Sequence, residues 1–169
     1  SRMRIEITKL PKWKDVITIK TWIKTLENSR SVRCLEMYLN EEKIVGCETF
    51  WVVINTKTRR PDILALPHSH FEKFDTDSIS NPIQKINIPE TFTFKNERKI
   101  LLSDIDIVNH ANNVKYLEWC LDVTNVENVL SNKIKALNLN YLQELNYNDV
   151  IEIHHTTTSF LITKEGKSC

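Results

Sequence analysis

Apolar and polar residues alternate with a period of two through most of the first 58 residues, in the runs Ile5 and Ile7; Ile17, Ile19 and Ile23; Leu35, Met37 and Leu39; and Phe50, Val52 and Ile54. Successive side chains of an extended backbone point to opposite faces, so each run predicts a strand with one apolar face. The runs break at Leu10 to Trp13, Glu27 to Arg30 and Asn40 to Lys43, where turn-forming residues sit between β-branched and aromatic ones, as in antiparallel strands. No long helix is expected here.

The alternation lapses after Thr58, where Pro61, Pro67, Pro82 and Pro89 are spread among Ser, Asp and His, so residues 61–89 are expected to be a linker. Strand character resumes at Phe92, Phe94 and Ile100 to Leu102. The side chains that follow, Asp104, Asp106, Asn109, Asn112 and Asn113, favour turns and helix N-caps. Beyond them Val114, Leu117, Cys120 and Leu121 fall at intervals of three and four, with Thr124 next, which predicts a helix over about 110–124. Segments 131–145 and 149–163 alternate again. The class is therefore α+β, a helix with antiparallel strands.

An internal repeat organises these elements. Asp15-Val16-Ile17-Thr18-Ile19 recurs as Asp149-Val150-Ile151-Glu152-Ile153, and at the same offset Ile5 matches Leu139, Ile7 matches Tyr141 and Trp13 matches Tyr147. In that register the first repeat lacks a strand and helix equivalent to 91–130, and the second stops before any counterpart of 36–58. The chain is expected to be part of a two-repeat protein: residues 1–60 are strands of the first repeat, and 90–169 the second.

Composition adds exclusions more than assignments. A chain of 169 residues that is 41% hydrophobic and 27% charged can bury a real core, and a formal net charge of +1 argues against a dedicated nucleic-acid binder. Two small basic clusters, Lys9, Lys12 and Lys14, and Lys57, Arg59 and Arg60, read first as solvated strand ends. Cys34, Cys47, Cys120 and Cys169 show no metal-ligand spacing and read as buried thiols of a reducing compartment. No apolar run approaches the ~18 residues of a membrane span. No metal or cofactor is expected: His154 and His155 point to opposite faces of a strand, His68 and His70 lack a third ligand, and there is no glycine-rich phosphate loop. Trp13, Trp22, Trp51 and Trp119 are expected in core or interface packing.

A helix that opens in a loop holding Asp106 and His110 places unpaired backbone N–H groups and the positive end of its dipole beside two titratable side chains, which suits a carbonyl oxygen becoming an oxyanion. On spacing alone an Asn cap with a solvated Asp and a hydrogen-bonded His explains the same residues, and Glu144 reads as a solvent-facing carboxylate at a strand end.

The stretch from Asp104 to Tyr116, Asp-Ile-Asp-Ile-Val-Asn-His-Ala-Asn-Asn-Val-Lys-Tyr, followed by Asn140-Tyr141-Leu142-Gln143-Glu144-Leu145, resembles the acyl-acyl carrier protein thioesterases of plant plastids and bacteria. That resemblance implies a double hot-dog fold, in which a long helix is wrapped by an antiparallel sheet, twice. It also implies hydrolysis of acyl-acyl carrier protein to free fatty acid, ending chain elongation, without a cofactor. Asp106, His110 and Glu144 match catalytic positions of the family, and backbone N–H groups around Asn109 and Asn112 are the expected oxyanion donors. The family's Asn before the His is Val108 here, and the Cys that many members carry after the Glu is Leu145. Lacking that thiol, the site would use water as nucleophile with Glu144 as base, Asp106 and His110 orienting it; Cys120, some ~15 Å along the expected helix, is too far to substitute.

The implied partner is acyl carrier protein, whose acidic surface makes the two basic clusters candidate docking sites. The implied compartment is the cytoplasm, or the plastid stroma in a plant, and a homodimer is left open. Two alternatives stay open: an acyl-coenzyme A thioesterase on the same fold, and a non-catalytic acyl-binding hot-dog protein, to which Val108 lends weight.

Overall fold

The computed structural model describes residues 1–58, 60–65 and 67–169; Arg59 of the second basic cluster and Leu66 of the expected linker lie outside the described residues. The chain divides into two compact units, Ser1–Ile86 with Ile134–Asn140, and Asn87–Lys133 with Tyr141–Cys169. The first unit is a five-stranded antiparallel sheet of β1 (Arg2–Ile7), β2 (Ile17–Glu27), β3 (Arg30–Leu39), β4 (Glu42–Val52) and, at one edge, a strand from much later in the chain, Ala136–Asn140.

That late strand pairs antiparallel with β1, placing Leu139 opposite Met3 and Leu137 opposite Ile5. Residues 136–140 were expected within the second repeat. They extend the first sheet instead, because Leu137 and Leu139 continue the apolar row that Met3, Ile5 and Ile7 begin. Among the described residues the first unit has no helix.

The opposite face of this sheet is crossed by the segment expected to be a plain linker, and it is tied down strand by strand. Lys73 bridges to Ile23 on β2, and the Phe74 N–H donates to the Ile23 carbonyl at 2.9 Å. The Trp22 Nε1–H donates to the Thr76 carbonyl at 3.0 Å. The buried Ser78 then sits on β4: its N–H donates to Glu48 Oε1 at 3.2 Å and its hydroxyl to the Cys47 carbonyl at 2.7 Å. Finally Ser80 N, Asn81 N and Asn81 Nδ2 all donate to the Glu6 carboxylate on β1. An irregular segment lying on a sheet must find partners for its own polar groups, and here side chains of the strands supply them. Glu48 is itself buried, and it also receives Cys34 Sγ at 3.5 Å and faces Lys24 Nζ at 3.7 Å. Gly46 makes the close approach feasible, since a Cβ there would stand 1.9 Å from the Ser78 carbonyl oxygen.

The second unit contains β5 (Phe94–Lys99), α1 (Asn113–Asp122), α2 (Val126–Leu130), β7 (Val150–His155), β8 (Phe160–Lys164) and β9 (Lys167–Ser168), the late strand of the first unit being β6. Its sheet runs β5-β7-β8-β9 with antiparallel pairing. Tyr116 and Trp119 of α1 pack with Ile100, Leu145, Ile151, Ile153 and Ile162 in one buried cluster, a helix laid on a sheet. The helix is shorter than the 110–124 expected, and 131–145 is a strand only over 136–140. His154 and His155 do take opposite faces: His155 is buried between the Phe94 and Phe160 rings, while His154 meets Glu152 and Thr163.

The repeat is visible as a matched turn ahead of β2 and of β7. Asp15 accepts from the Lys12 N–H at 2.7 Å, and Asp149 from the Asn146 N–H at 2.8 Å. The residue before each Asp is left-handed, Lys14 with φ 74° and Asn148 with φ 69°.

Gly46→Ala is expected to destabilise the chain by about 1–3 kcal/mol in urea unfolding, because the Ser78 backbone cannot yield to a new methyl without losing its partners. Glu6 carries a pH signature. Burial would raise its pKa, but the hydrogen bonds from Ser80 and Asn81 and from the Arg4 guanidinium outweigh that and hold it at about 2, against 4.5 unperturbed. A depressed carboxyl stabilises the fold fully above its unfolded value, and that contribution disappears as pH falls through the folded one. Glu6→Gln should therefore flatten the loss of stability between about pH 5 and pH 2, read as the urea midpoint against pH.

Candidate active site

The segment from Ile100 to Asn113 is a loop folded around two aspartates. Asp104 is buried: its Oδ2 accepts from the Leu101 N–H at 2.8 Å, its Oδ1 lies 3.5 Å from the Arg98 guanidinium, and its carbonyl accepts from the Asn112 N–H at 2.8 Å. Arg98 in turn lies over the Trp119 ring, 5.4 Å from its centroid. Asp106 organises the tip: its Oδ1 accepts from the Val108 N–H at 2.9 Å and, more weakly, from the His110 N–H at 3.4 Å, while the Asp106 N–H donates to the His110 carbonyl at 2.9 Å. Closing the loop this tightly requires one left-handed residue, and Asn109 takes it at φ 65°.

Helix α1 begins only after this loop. Asn112 is the N-cap, its side-chain oxygen accepting from the Val114 N–H at 3.0 Å. Ala111 is extended and pairs with Ile105, and its N–H donates to the Leu145 carbonyl at 2.7 Å; a residue so engaged cannot join the helix, which explains the late start. At the other end Val123 closes α1 and Asn125 caps the short α2.

The bond from Ala111 to Leu145 decides what His110 meets. Leu145 is wholly buried, so its backbone position is firm, and the residues just before Ala111 and Leu145 come together: His110 Nε2 stands 3.6 Å from Glu144 Oε2. A second tie holds the same segment, the Tyr116 hydroxyl donating to the Gln143 carbonyl at 3.1 Å. Glu144 thus projects from a short irregular stretch pinned on both sides, rather than from the strand end expected. Both side chains are reachable by solvent, with 33% of His110 and 45% of Glu144 exposed.

The structure brings His110 and Glu144 together. Asp106 is linked to His110 through the loop backbone, its Oδ1 accepting from two N–H groups of the tip. The expected backbone donors from Asn109 to Asn112 are already engaged, Asn109 N with the Asp106 carbonyl, His110 N with the Asp106 carboxylate, Ala111 N with Leu145 and Asn112 N with Asp104. What Asn109 and Asn112 still offer at this surface is their side-chain amides. Val108 and Ile107 point outward, Val108 61% exposed and Ile107 fully so. Cys120 sits half-buried on α1, about 10 Å along the axis from its start, and burial pushes its thiol up to about 12, which leaves it without nucleophilic character.

Asp104, Tyr116 and Leu145 were legible only as members of a motif. Their work is done across the fold, and no local spacing announces it.

A helix packed on an antiparallel sheet, with a second antiparallel sheet in the same chain, fits a hot-dog protein, and the solved structures it superposes on carry that fold. The crystal structure of an acyl-ACP thioesterase from Bacteroides thetaiotaomicron superposes with a TM-score of 0.84 at 21% identity, over 99% of this chain and 70% of that one. The 12:0-ACP thioesterase from Umbellularia californica gives 0.81 at 20% identity, with 99% and 70% coverage. These likenesses establish the fold.

Residues 1–65 match the acyl-ACP thioesterase N-terminal domain and residues 89–168 the acyl-ACP thioesterase C-terminal domain. The chain belongs to the acyl-ACP thioesterase family. It is 27% identical to oleoyl-acyl carrier protein thioesterase 1 of Arabidopsis thaliana over 94% of its length, and 29% identical to a palmitoyl-acyl carrier protein thioesterase of Cuphea hookeriana over 90%. It spans only 48% and 39% of those two relatives.

Removing the Tyr116 hydroxyl strips a partner from the Gln143 carbonyl, so Tyr116→Phe is expected to cost about 1 kcal/mol in chemical denaturation. It should also broaden the Glu144 side-chain signals in NMR spectra, while Tyr147→Phe, which alters an exposed ring, changes neither.

Proposed function

We propose that this chain carries the catalytic half of a thioester hydrolase acting on acyl-acyl carrier protein, with Asp106, His110 and Glu144 as its working residues. The observation that carries the reading is the His110–Glu144 pair at 3.6 Å, held by backbone ties on both sides of Glu144, in a chain of this family. Glu144 is the general base: its carboxylate takes a proton from a water that attacks the thioester carbonyl carbon. The tetrahedral oxyanion collapses with cleavage of the carbon–sulfur bond, and the proton returns to the departing thiolate, leaving carboxylic acid and thiol. His110 orients the carboxylate.

Asp106 acts by shaping the loop that aims His110, and the side-chain amides of Asn109 and Asn112 are the donors available to the substrate carbonyl. That assignment replaces the backbone donors, which are occupied. Water is the nucleophile, since Leu145 fills the position after Glu144 and the Cys120 thiol is held protonated. The names of the plant relatives, which include chloroplastic, support the plastid stroma for a plant source. Among the described residues no helix is long and apolar enough to cross a membrane.

A second reading, an acyl-binding protein without turnover, draws on Val108: an outward apolar side chain replaces the amide that the family pattern carries there.

In the whole protein, Glu144→Ala should lower hydrolysis of acyl-acyl carrier protein at least ~100-fold with the fold intact; near-normal turnover removes Glu144 from the mechanism. Asp106→Asn retains an oxygen acceptor for the Val108 and His110 N–H groups, so it should keep most activity, whereas Asp106→Ala should lose it about as fully as His110→Ala. Tight acyl binding with no thiol release by the unmodified protein would favour the second reading.

A further inference from the structure

The matched turns that open β2 and β7 differ in one systematic way. Lys12-Trp13-Lys14-Asp15 and Asn146-Tyr147-Asn148-Asp149 share the Asp-to-N–H bond and the left-handed third residue, and both present an exposed aromatic ring at the second. At the constant offset of the repeat, Lys9, Lys12 and Lys14 stand where the second copy has Gln143, Asn146 and Asn148. One turn is therefore cationic, with three lysines against Asp15, and the other anionic, with Glu144 and Asp149 and no lysine, on the same backbone.

Two features mark the cationic turn as more than a solvated loop. Asn adopts φ near +70° readily and lysine does not, so Lys14 holds a strained backbone that the Asn at the corresponding place relieves. Strain kept at an exposed site is a pointer to use rather than to folding. The apolar residues beside it are also left in water: Trp13 is 91% exposed and Val16 86%, with Leu10 half-exposed. Trp13, expected in packing, instead stands out from a turn closed by the Asp15 N–H to the Lys12 carbonyl at 3.0 Å. A fixed, outward Trp between lysines is the composition of an interface centre with a charged rim.

We propose that the Lys9–Val16 turn is a docking surface for an acidic protein partner, Trp13 entering an apolar recess and Lys9, Lys12 and Lys14 pairing with carboxylates around it. Under the proposed function that partner is acyl carrier protein, and only the partner's identity rests on that reading. Charge complementarity selects an acidic protein. The second repeat's turn, with a ring but no lysines, supplies the internal contrast.

The test measures binding of this chain to acyl-free holo-acyl carrier protein by Trp emission and by titration calorimetry at two salt concentrations. A Lys12→Asn, Lys14→Asn double variant keeps the turn, since it installs the residues of the second copy; circular dichroism checks that it does. It should weaken binding at least ~10-fold and reduce the salt dependence. Trp13→Ala should weaken binding by a similar factor with the salt dependence retained. Turnover of a small acyl-pantetheine thioester by the whole protein should be unchanged in all of these variants. Loss of that turnover in the unmodified protein would defeat the proposed function without touching the docking result. Binding unaltered in the variants overturns the proposal. So does a Trp13 emission shift on anionic phospholipid vesicles with none on the carrier protein, which would make the turn a lipid contact, or self-association by sedimentation that Trp13→Ala abolishes.

Discussion

The hydrogen bond from the Ala111 N–H to the Leu145 carbonyl joins two segments far apart in sequence, and the candidate site exists because of it. Leu145 is wholly buried among Ile100, Tyr116, Trp119 and Ile151, so the bond has a rigid end. Its other end interrupts what would otherwise be the first turn of α1. Two consequences follow from one constraint: the helix starts late, at Asn113, and His110 is left on an irregular loop facing Glu144. A backbone bond made by core burial is a firmer way to place two side chains than contact between those side chains themselves, which here are partly in solvent.

The loop that carries His110 is economical in its polar groups. Asp104 and Asp106 lie two residues apart and look interchangeable, yet one is buried against Arg98 and the other turns its carboxylate to the N–H groups of its own loop. Together they account for the N–H groups of Leu101, Val108, His110 and Asn112. A loop with so many internal bonds is held in one arrangement by its own groups, as the roles proposed for His110 and Glu144 require. The same economy leaves the N–H groups of residues 109–112 engaged within the fold, which is why the proposed carbonyl donors are the side-chain amides of Asn109 and Asn112.

The first unit solves a different problem with similar means. Its sheet has an apolar face built by Met3, Ile5, Ile7, Leu137 and Leu139, and a face where Glu6, Glu48 and Trp22 meet the crossing segment from Lys73 to Asn81. Carboxylates on a sheet would ordinarily face water. Here they serve as acceptors for the N–H groups of a proline-rich connection that has no regular structure of its own, so a stretch that looks like a spacer becomes part of the unit. Gly46 is the enabling residue, because nothing larger admits the Ser78 carbonyl.

Period-two alternation was enough to find β1 to β4, β7 and β8, since one-sided burial writes itself directly into residue order, and the repeat register located matching turns through Asp15 and Asp149. The stretch from Asp104 to Tyr116 together with Asn140 to Leu145 was likewise enough to point to the family, because the residue types themselves carry that pattern whatever contacts they make in the fold. What order alone could not decide were relations across the chain. Strand 136–140 joins β1 because apolar rows match between distant segments; residues 73–81 are fixed by acceptors on three separate strands, β1, β2 and β4; and Trp13, expected in packing, stands in solvent on a turn closed by its own backbone. The pairing of His110 with Glu144 belongs to this second group. Both residues could be read from the sequence, but their meeting depends on a buried leucine whose carbonyl only the folded core holds in place.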